Sequence, residues 1–157
     1  AKITKTRSDA FKGHDIVLCI RPPAESNLEI MKKDALLVGI LNPYQNKDLL
    51  KACVDNNVTA MAMELLPRIT RAQAMDVLSS QANIAGYKAV LDACEHYTRA
   101  MPMMMTAAGT VPPARVFVMG AGVAGLQAIA TARRLGAVVS ATDVRPAAKE
   151  QVESLGA

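Results

Sequence analysis

Residues 115–145 of this 157-residue chain read RVFVMGAGVAGLQAIATARRLGAVVSATDVR, and this stretch decides the fold. Residues 115–119 are typical of a strand, residues 126–135 of a helix, and residues 137–142 of a second strand that ends at Asp143. Between the first strand and the helix stand three glycines in G-x-G-x-x-G spacing. Such spacing alone is a weak signal, but in this context it predicts a βαβ unit that binds a dinucleotide.

Residues 120–125 form the predicted phosphate loop, and each of its glycines has a physical task. The first makes a tight turn, the second lets a pyrophosphate approach the backbone, and the third lets the helix pack closely on the strand. The start of the helix adds free backbone amides and the positive end of the helix dipole. We therefore expect the phosphates to lie against Gly120, Gly122, Val123, Ala124 and Gly125.

Asp143 follows Gly125 by eighteen residues, close to the spacing of about 20 at which an acidic residue binds the adenosine ribose. Its carboxylate can accept hydrogen bonds from both ribose hydroxyls and would repel a 2′-phosphate, so the sequence favours NAD over NADP. The two residues that follow, Val144 and Arg145, are placed in the same cofactor site. Arg145 can either meet a phosphate or form a surface salt bridge, and both readings stay open at this point.

The composition excludes several other classes of protein. Hydrophobic residues make up 51% of the chain and charged residues 20%, which is a globular balance and not a disordered one. Aromatic residues are only 3%, and the basic residues behind the net charge of +4 are scattered, so no nucleic-acid-binding surface is expected. Three well-separated cysteines indicate neither a disulfide framework nor a metal site. The uncharged run 116–132 splits better into a strand and a helix than into a membrane span.

The first third of the chain alternates short apolar strands with amphipathic segments, a pattern that predicts a parallel sheet covered by helices. Ligands of such sheets collect outside the carboxyl ends of the strands. The residues at those ends are Arg21, Asn42 and Glu64, which fit either a polar cleft or simple helix caps. The predicted strands are 15–21, 36–41 and 59–64, and the predicted helices are 26–33 and 47–56.

A long helix is predicted over residues 71–99. Thr70 and Gln73 match a capping box at its start, in which the two side chains satisfy free amides of the first turn. Gly86 lies in its interior, where glycine costs about 1 kcal/mol relative to alanine, so we expect close packing or a bend at that point. Gln73, Asp76 and Ser79 step by three along the beginning of this segment, and Arg68 comes just before its start. We call these four residues the polar ridge.

Two long stretches of the chain closely resemble a known family. They are PRITRAQAMDVLSSQANIAGY, residues 67–87, and PMMMTAAGTVPPARVFVMGAGVAGLQAIATARRLGAVVSATDVR, residues 102–145. Both are similar to the NAD(H)-binding domain, domain I of the alpha subunit, of proton-translocating NAD(P) transhydrogenase, a family related to alanine dehydrogenase. The resemblance covers nearly the whole chain.

The resemblance implies that the chain binds NAD(H) and presents it for direct hydride transfer to NADP+ on a partner domain, coupled in the intact enzyme to proton translocation across a membrane. It also implies a homodimer that associates with the NADP(H)-binding domain and the transmembrane proton channel, at the cytoplasmic side of the inner (plasma) membrane. Carried over by position, the polar ridge surrounds the nicotinamide, and its four members are the candidate catalytic residues. Hydride transfer between two nicotinamides requires no general acid or base.

Two alternatives remain. Alanine dehydrogenase shares this architecture, but its strand-end lysine and histidine correspond to Arg21 and Asn42 in this chain. Neither His14 nor His96 replaces the missing histidine, which would move a proton at an imine or carbonyl. A non-catalytic NAD-binding regulatory module would keep the phosphate loop but would have no use for the polar ridge.

The sequence thus predicts an α/β fold with two parallel-sheet, Rossmann-like domains joined by a long helix, in a chain truncated at both ends. Residues 1–100 are assigned to a partial N-terminal domain with the linking helix, and residues 101–114, with three prolines and no charge, to a connector. Residues 115–157 are assigned to the first half of an NAD-binding Rossmann domain, since a complete one has two such halves.

Overall fold

A computed structural model of the chain describes residues 2–157. The chain divides into two compact units, the first ending at Val77 and the second beginning at Leu78. Each unit contains a parallel sheet, which confirms the predicted α/β class. The domain bounds given above remain a prediction.

The first unit is built around three parallel strands. Its elements are α1 Arg7–Phe11, β1 Ile16–Cys19, α2 Glu25–Leu28, β2 Leu36–Gly39, α3 Lys47–Asp55 and β3 Thr59–Ala62, followed by 3-10 turns at Met63–Leu65 and Thr70–Met75. The strands lie in the order β1-β2-β3, with Leu36 of the central strand opposite Ile16 on one side and Thr59 on the other. Helical crossovers connect them, as parallel pairing requires.

The core of this unit lies on one face of the sheet. Leu37 of β2 packs in one cluster with Leu28 of α2 and Leu49 of α3, and each of these side chains is at most 1% exposed. Side chains alternate between the two faces of a strand, so Ile16 and Leu18 of β1 point to the other face, where they are exposed. The packed face fixes the strands, and with them the loops at their carboxyl ends.

The predicted elements of the first unit occur in the predicted order, but the helix expected over residues 26–33 is wrong in extent. It ends at Leu28, where the N–H of Met31 donates to the Leu28 carbonyl at 3.1 Å and the chain turns toward β2, which begins at Leu36. This turn buries Met31 and passes through Asp34 with a φ of 62°, a left-handed conformation that no helix can contain.

The second unit contains the predicted βαβ motif. Its elements are α4 Val77–His96, β4 Met104–Thr106, β5 Gly109–Val111, β6 Arg115–Met119, α5 Val123–Arg134, β7 Val138–Thr142 and α6 Ala148–Ser154. Strands β6 and β7 pair in parallel, with Met119 opposite Thr142. The run 116–132 is therefore divided between a strand and a helix, as predicted. Among the residues that the structure describes, no helix is long and apolar enough to span a membrane.

Helix α5 connects the two paired strands, packs against them and has a defined end. Ile129 is fully buried in a cluster with Val139 of β7. Gly136 follows the helix with a φ of 89° and donates its N–H to the carbonyl of Arg133 at 2.9 Å, while the next amide bonds Ala132 at 3.1 Å. This is a Schellman motif, in which glycine supplies the left-handed residue.

The segment predicted as one helix over residues 71–99 is wrong at its start. A 3-10 helix over Thr70–Met75 comes first, and Asp76, with a ψ of 86°, separates it from α4. Ile69, and not Thr70, is the N-cap of the 3-10 helix, and no side chain caps it, so the expected capping box does not form. Residues 101–114 contain the β4–β5 hairpin, which the sequence did not predict and whose strand residues are all exposed.

Candidate functional site

The phosphate loop connects the end of β6 to the start of α5. Gly120 has a φ of 94°, which only glycine adopts without strain, and its N–H donates to the carbonyl of Thr142 at 2.7 Å. The turn is thereby tied to the carboxyl end of β7. This arrangement brings Asp143, the residue after Thr142, next to the loop.

The other two loop glycines face different surroundings. A Cβ atom on Gly125 would lie 1.7 Å from the carbonyl oxygen of Gly120, so the helix can approach the turn this closely only with glycine there. A Cβ atom on Gly122 would have no neighbour within 4 Å, which leaves the backbone at this point open to a ligand. Both findings agree with the tasks that the sequence assigned to these glycines.

Helix α4 also packs against the loop. A Cβ atom on Gly86 would lie 2.0 Å from the carbonyl oxygen of Ala124, and Gly86 is buried. This confirms the close packing expected at Gly86. The start of α5 is therefore fixed from two sides, by β6 and by α4.

The first turn of α5 presents backbone donors. Its first internal bond runs from the N–H of Leu126 to the carbonyl of Gly122 at 2.8 Å, so the amides of Val123, Ala124 and Gly125 precede the helical ladder. Together with the positive end of the helix dipole, these amides suit the phosphates of a dinucleotide. The binding of phosphates by this loop remains a prediction.

Among the acidic residues of the second unit, Asp143 accepts the most hydrogen bonds. Its Oδ2 accepts from the N–H of Ala121 at 2.7 Å, and its Oδ1 accepts from the N–H of Arg145 at 2.8 Å. The Arg145 guanidinium adds bonds from Nε to Oδ1 at 2.9 Å and from Nη2 to Oδ2 at 3.0 Å. The bonds from Arg145 and then from Ala121 hold the pKa of Asp143 well below its usual range, so the carboxylate stays charged at neutral pH.

The polar ridge does not lie along one helix. Arg68 precedes the 3-10 helix, Gln73 lies within it, and Asp76 ends it, whereas Ser79 belongs to the first turn of α4. Arg68 and Gln73 are exposed. The first three belong to the first unit and Ser79 to the second. Their assignment to the nicotinamide remains a prediction.

Glu64 has a structural role that the sequence did not reveal. Its Oε1 accepts from the N–H of Leu41 at 2.9 Å and also from the N–H of Asn42, directly after β2. Asn42 has a φ of 50°, so this carboxylate holds a strained turn between two strand ends.

Arg21 is exposed at the end of β1. Among residues 2–157, no group of three His, Cys, Asp or Glu side chains is placed to bind a metal ion.

A βαβ unit with a glycine turn at the helix start and an acidic residue after the second strand defines a dinucleotide-binding α/β protein. The chain belongs to the alanine dehydrogenase/PNT family. The family's N-terminal domain, "Alanine dehydrogenase/PNT, N-terminal domain", matches residues 1–85, and its C-terminal domain, "Alanine dehydrogenase/PNT, C-terminal domain", matches residues 89–157. The resemblance inferred from the sequence is thus confirmed.

Several known proteins are similar to this chain. An alpha-subunit polypeptide of NAD(P) transhydrogenase from Rhodospirillum rubrum is 56% identical over 99% of this chain and 42% of its own length. The crystal structure of transhydrogenase from Sinorhizobium meliloti superposes with a TM-score of 0.90 and 64% identity, over 96% of this chain and 45% of that one. Alanine dehydrogenase of Staphylococcus epidermidis is 29% identical over 99% of this chain and 42% of its own length. The chain therefore spans less than half the length of the relatives it matches.

Proposed function

We propose that this chain binds NAD(H) and presents it for direct hydride transfer to NADP+ on a partner domain, as a component of an NAD(P) transhydrogenase. The observation that carries the proposal is the phosphate loop joined to Asp143. The open backbone at Gly122 and the amides at the start of α5 bind the pyrophosphate, while Asp143 binds the adenosine ribose. The identity with transhydrogenase subunits supports this assignment over other dinucleotide-binding proteins.

The adenosine end of the site selects NAD(H) over NADP(H). Asp143 is charged, and its side chain is only 9% exposed. A 2′-phosphate placed against this carboxylate would bring two negative charges together in a partly desolvated position, which is unfavourable. The NADP(H) of the reaction is therefore bound by a separate domain.

The polar ridge orients the nicotinamide in this proposal. A guanidinium, an amide, a carboxylate and a hydroxyl can hold a carboxamide and a ribose in one orientation, so that C4 faces its redox partner. The reaction itself moves a hydride from the C4 of NADH to the C4 of NADP+, giving NAD+ and NADPH. Because no proton is exchanged with a substrate, the residues of this chain only position the ring and exclude water.

The remaining components of the enzyme lie outside this chain. In the proposal, the chain forms a homodimer and associates with the NADP(H)-binding domain and with a transmembrane proton-channel domain. It lies on the cytoplasmic side of the inner (plasma) membrane, peripheral to the bilayer. The R. rubrum relative is named as a subunit, which supports the existence of partner subunits.

The similarity to alanine dehydrogenase is an observation in favour of the first alternative, but the strand ends of this chain do not supply its chemistry. In an alanine dehydrogenase, a strand-end group must take up protons near the substrate nitrogen, but Asn42 cannot do so and both Glu64 oxygens accept backbone bonds. A regulatory module would give the polar ridge no purpose.

Calorimetric titration of the intact protein with NADH and NADPH tests the proposed function. We expect NADH to bind more tightly, and we expect Asp143→Ala to narrow the difference because the ribose contact and the repulsion are both lost. Asp55→Ala serves as the matched control, since Asp55 is exposed at the end of α3 in the other unit. Equal affinity for both nucleotides in the unmutated protein would contradict the proposal.

A further inference from the structure

The Asp143 carboxylate has four donors around it, and they divide into two kinds. The N–H groups of Ala121 and Arg145 belong to the backbone and give each oxygen one fixed bond. The guanidinium of Arg145 supplies the second bond to each oxygen. A carboxylate offers about four acceptor positions, so all of them are filled.

Two hydroxyls of a ribose would need acceptor positions on this same carboxylate. The backbone donors cannot leave without unfolding the loop, because Ala121 is buried and follows the tight turn at Gly120. The Arg145 side chain is 61% exposed, and Asp143 is 9% exposed. The guanidinium can therefore turn away into solvent while the carboxylate stays in place. Its departure would free one acceptor position on each oxygen of Asp143, which is what the two ribose hydroxyls require.

The displaced guanidinium remains within reach of the ribose, because Arg145 is only two residues from Asp143. In the structure its Nη2 also donates to the carbonyl of Ala121 at 3.3 Å, so the side chain already extends along the phosphate loop. A 2′-phosphate occupies the position of a 2′-hydroxyl, so it would lie against the same carboxylate and within reach of this guanidinium. Guanidinium groups bind phosphate in a bidentate manner.

We propose that Arg145 is a specificity-determining residue that exchanges between Asp143 and the 2′ position of the adenosine ribose. Asp143 normally competes with a 2′-phosphate for this guanidinium, and the competition strengthens the preference for NAD(H). Once the carboxylate is neutral, Arg145 becomes a receptor for the 2′-phosphate of NADP(H). This inference rests on the proposed binding of NAD(H).

The test compares the ratio of the dissociation constants for NADPH and NADH among variants of the intact protein, measured by calorimetry. The ratio cancels a general loss of folded or binding-competent protein. Asp143→Asn keeps the size of the side chain and an acceptor for one of the two backbone donors but removes the charge. We expect it to lower the ratio by about tenfold or more, which corresponds to one charge-assisted hydrogen bond.

The decisive variant is the double substitution Asp143→Asn with Arg145→Ala. It should lose most of the gain in NADPH affinity, because the receptor for the phosphate is gone. Arg145→Ala alone should raise the ratio, since only Asp143 then faces the phosphate. Lys149 supplies the matched control: it lines the same cleft of about 500 Å³ as Asp143 and Arg145, but it pairs with Glu153 at 3.7 Å. Asp143→Asn with Lys149→Ala should keep the gain.

The outcomes separate this inference from the proposed function. If the unmutated protein binds no NADH, the proposed function fails. If NADH binds but the gain from Asp143→Asn persists without Arg145, the proposed function stands and Arg145 is not the phosphate receptor. The same conclusion follows if the Lys149 variant abolishes the gain, because a general loss of positive charge then explains it.

Discussion

Gly122 and Gly125 are three residues apart in the phosphate loop. Replacing either by alanine adds a single methyl group, but we expect the two substitutions to affect different properties of the protein. Gly125→Ala would place a Cβ atom 1.7 Å from the oxygen of Gly120, and such overpacking costs about 1–3 kcal/mol of unfolding free energy. Gly122→Ala meets open space and an extended backbone, so its cost stays below about 1 kcal/mol. Its methyl group would, however, block the approach of a pyrophosphate.

We therefore expect Gly125→Ala to unfold at lower urea concentration and Gly122→Ala to keep its stability while binding NADH at least tenfold more weakly, about 1.4 kcal/mol. Urea unfolding and NADH titration on both variants provide the measurement, and each variant is the control for the other. Unchanged NADH affinity in Gly122→Ala would show that the phosphates do not approach the backbone at this point.

For single residues, the sequence predicts positions where the backbone geometry or a ligand admits few residue types. It does not predict the hydrogen-bond partners of long side chains. The loop glycines and Asp143 were predictable because a tight turn and a ribose site each admit few residue types. The partners of Arg145 and Glu64 were not predictable, because a long polar side chain can reach many donors and acceptors. Only the folded backbone decides that Glu64 meets the amide of Leu41.

The turn after β2 depends on a side chain from the end of β3. Glu64→Gln removes the charge and one of the two acceptor oxygens that bind the amides of Leu41 and Asn42. The carbonyl oxygen of Gln can still accept from both amides in the place of Oε1, but these bonds are no longer bonds to a charged group. Hydrogen bonds to charged groups contribute about 1.5–3 kcal/mol and neutral ones about 0.5–1.5, so we expect the unfolding free energy to fall by about 1 kcal/mol. Urea unfolding measures it. Glu29→Gln, at an exposed position, is the matched control and should change stability little; equal losses in both variants would contradict an anchoring role.

Gln73 lies in the 3-10 helix ahead of α4, where it is exposed and takes no part in a cap. If it orients the nicotinamide, Gln73→Leu should slow single-turnover hydride transfer by about tenfold or more while changing NADH affinity less, because a small misplacement harms geometry more than binding. Stability should stay nearly unchanged. Gln151→Leu, at an exposed position of α6, is the control for the added apolar surface. Normal transfer in Gln73→Leu would remove this residue from the site.

For helices and strands, the sequence predicts elements with a strong hydrophobic periodicity and clear breaking residues at their ends. It does not predict local changes of backbone conformation. The strands and α5 were predicted because apolar runs are bounded by glycine, proline or asparagine. The break at Asp76 escaped prediction because 3-10 and α-helices share the i, i+3 spacing that the polar ridge displays. The β4–β5 hairpin escaped because strands of three residues give too short a pattern to recognise.

For the whole molecule, the α/β class was predictable because the alternation of strands and helices allows few architectures. The sequence was a poorer guide to which side chains are buried within each unit. Leu78 and Met75 follow helical spacing that indicates a buried stripe, yet both are exposed, and α4 instead buries Gly86 and Val90. Which face of a helix is buried depends on the elements it meets, and α4 meets the start of α5 at Gly86.

The chemistry of the whole protein follows from which groups can move a proton. The strand ends of the first unit carry Arg21, Asn42 and Glu64, none of which is a histidine, and the polar ridge contains no histidine either. Histidine is the side chain whose ordinary pKa lies nearest neutral pH, and amino-acid oxidation needs such a proton acceptor near the substrate nitrogen. Hydride transfer between two nicotinamides needs none.

We therefore expect the intact protein to show no turnover with NAD+ and L-alanine, or with NADH, pyruvate and ammonia. Combined with its NADP(H)-binding partner, it should transfer hydride between the nucleotides at a single-turnover rate that varies less than about threefold between pH 6 and 8, where a catalytic histidine would titrate. Spectrophotometric assays of both reactions on one preparation provide the comparison, and Asp55→Ala, at an exposed position of α3, is the control, since it should leave hydride transfer intact. Robust alanine-dependent formation of NADH would assign the chain to amino-acid oxidation and make Arg21 the first residue to substitute.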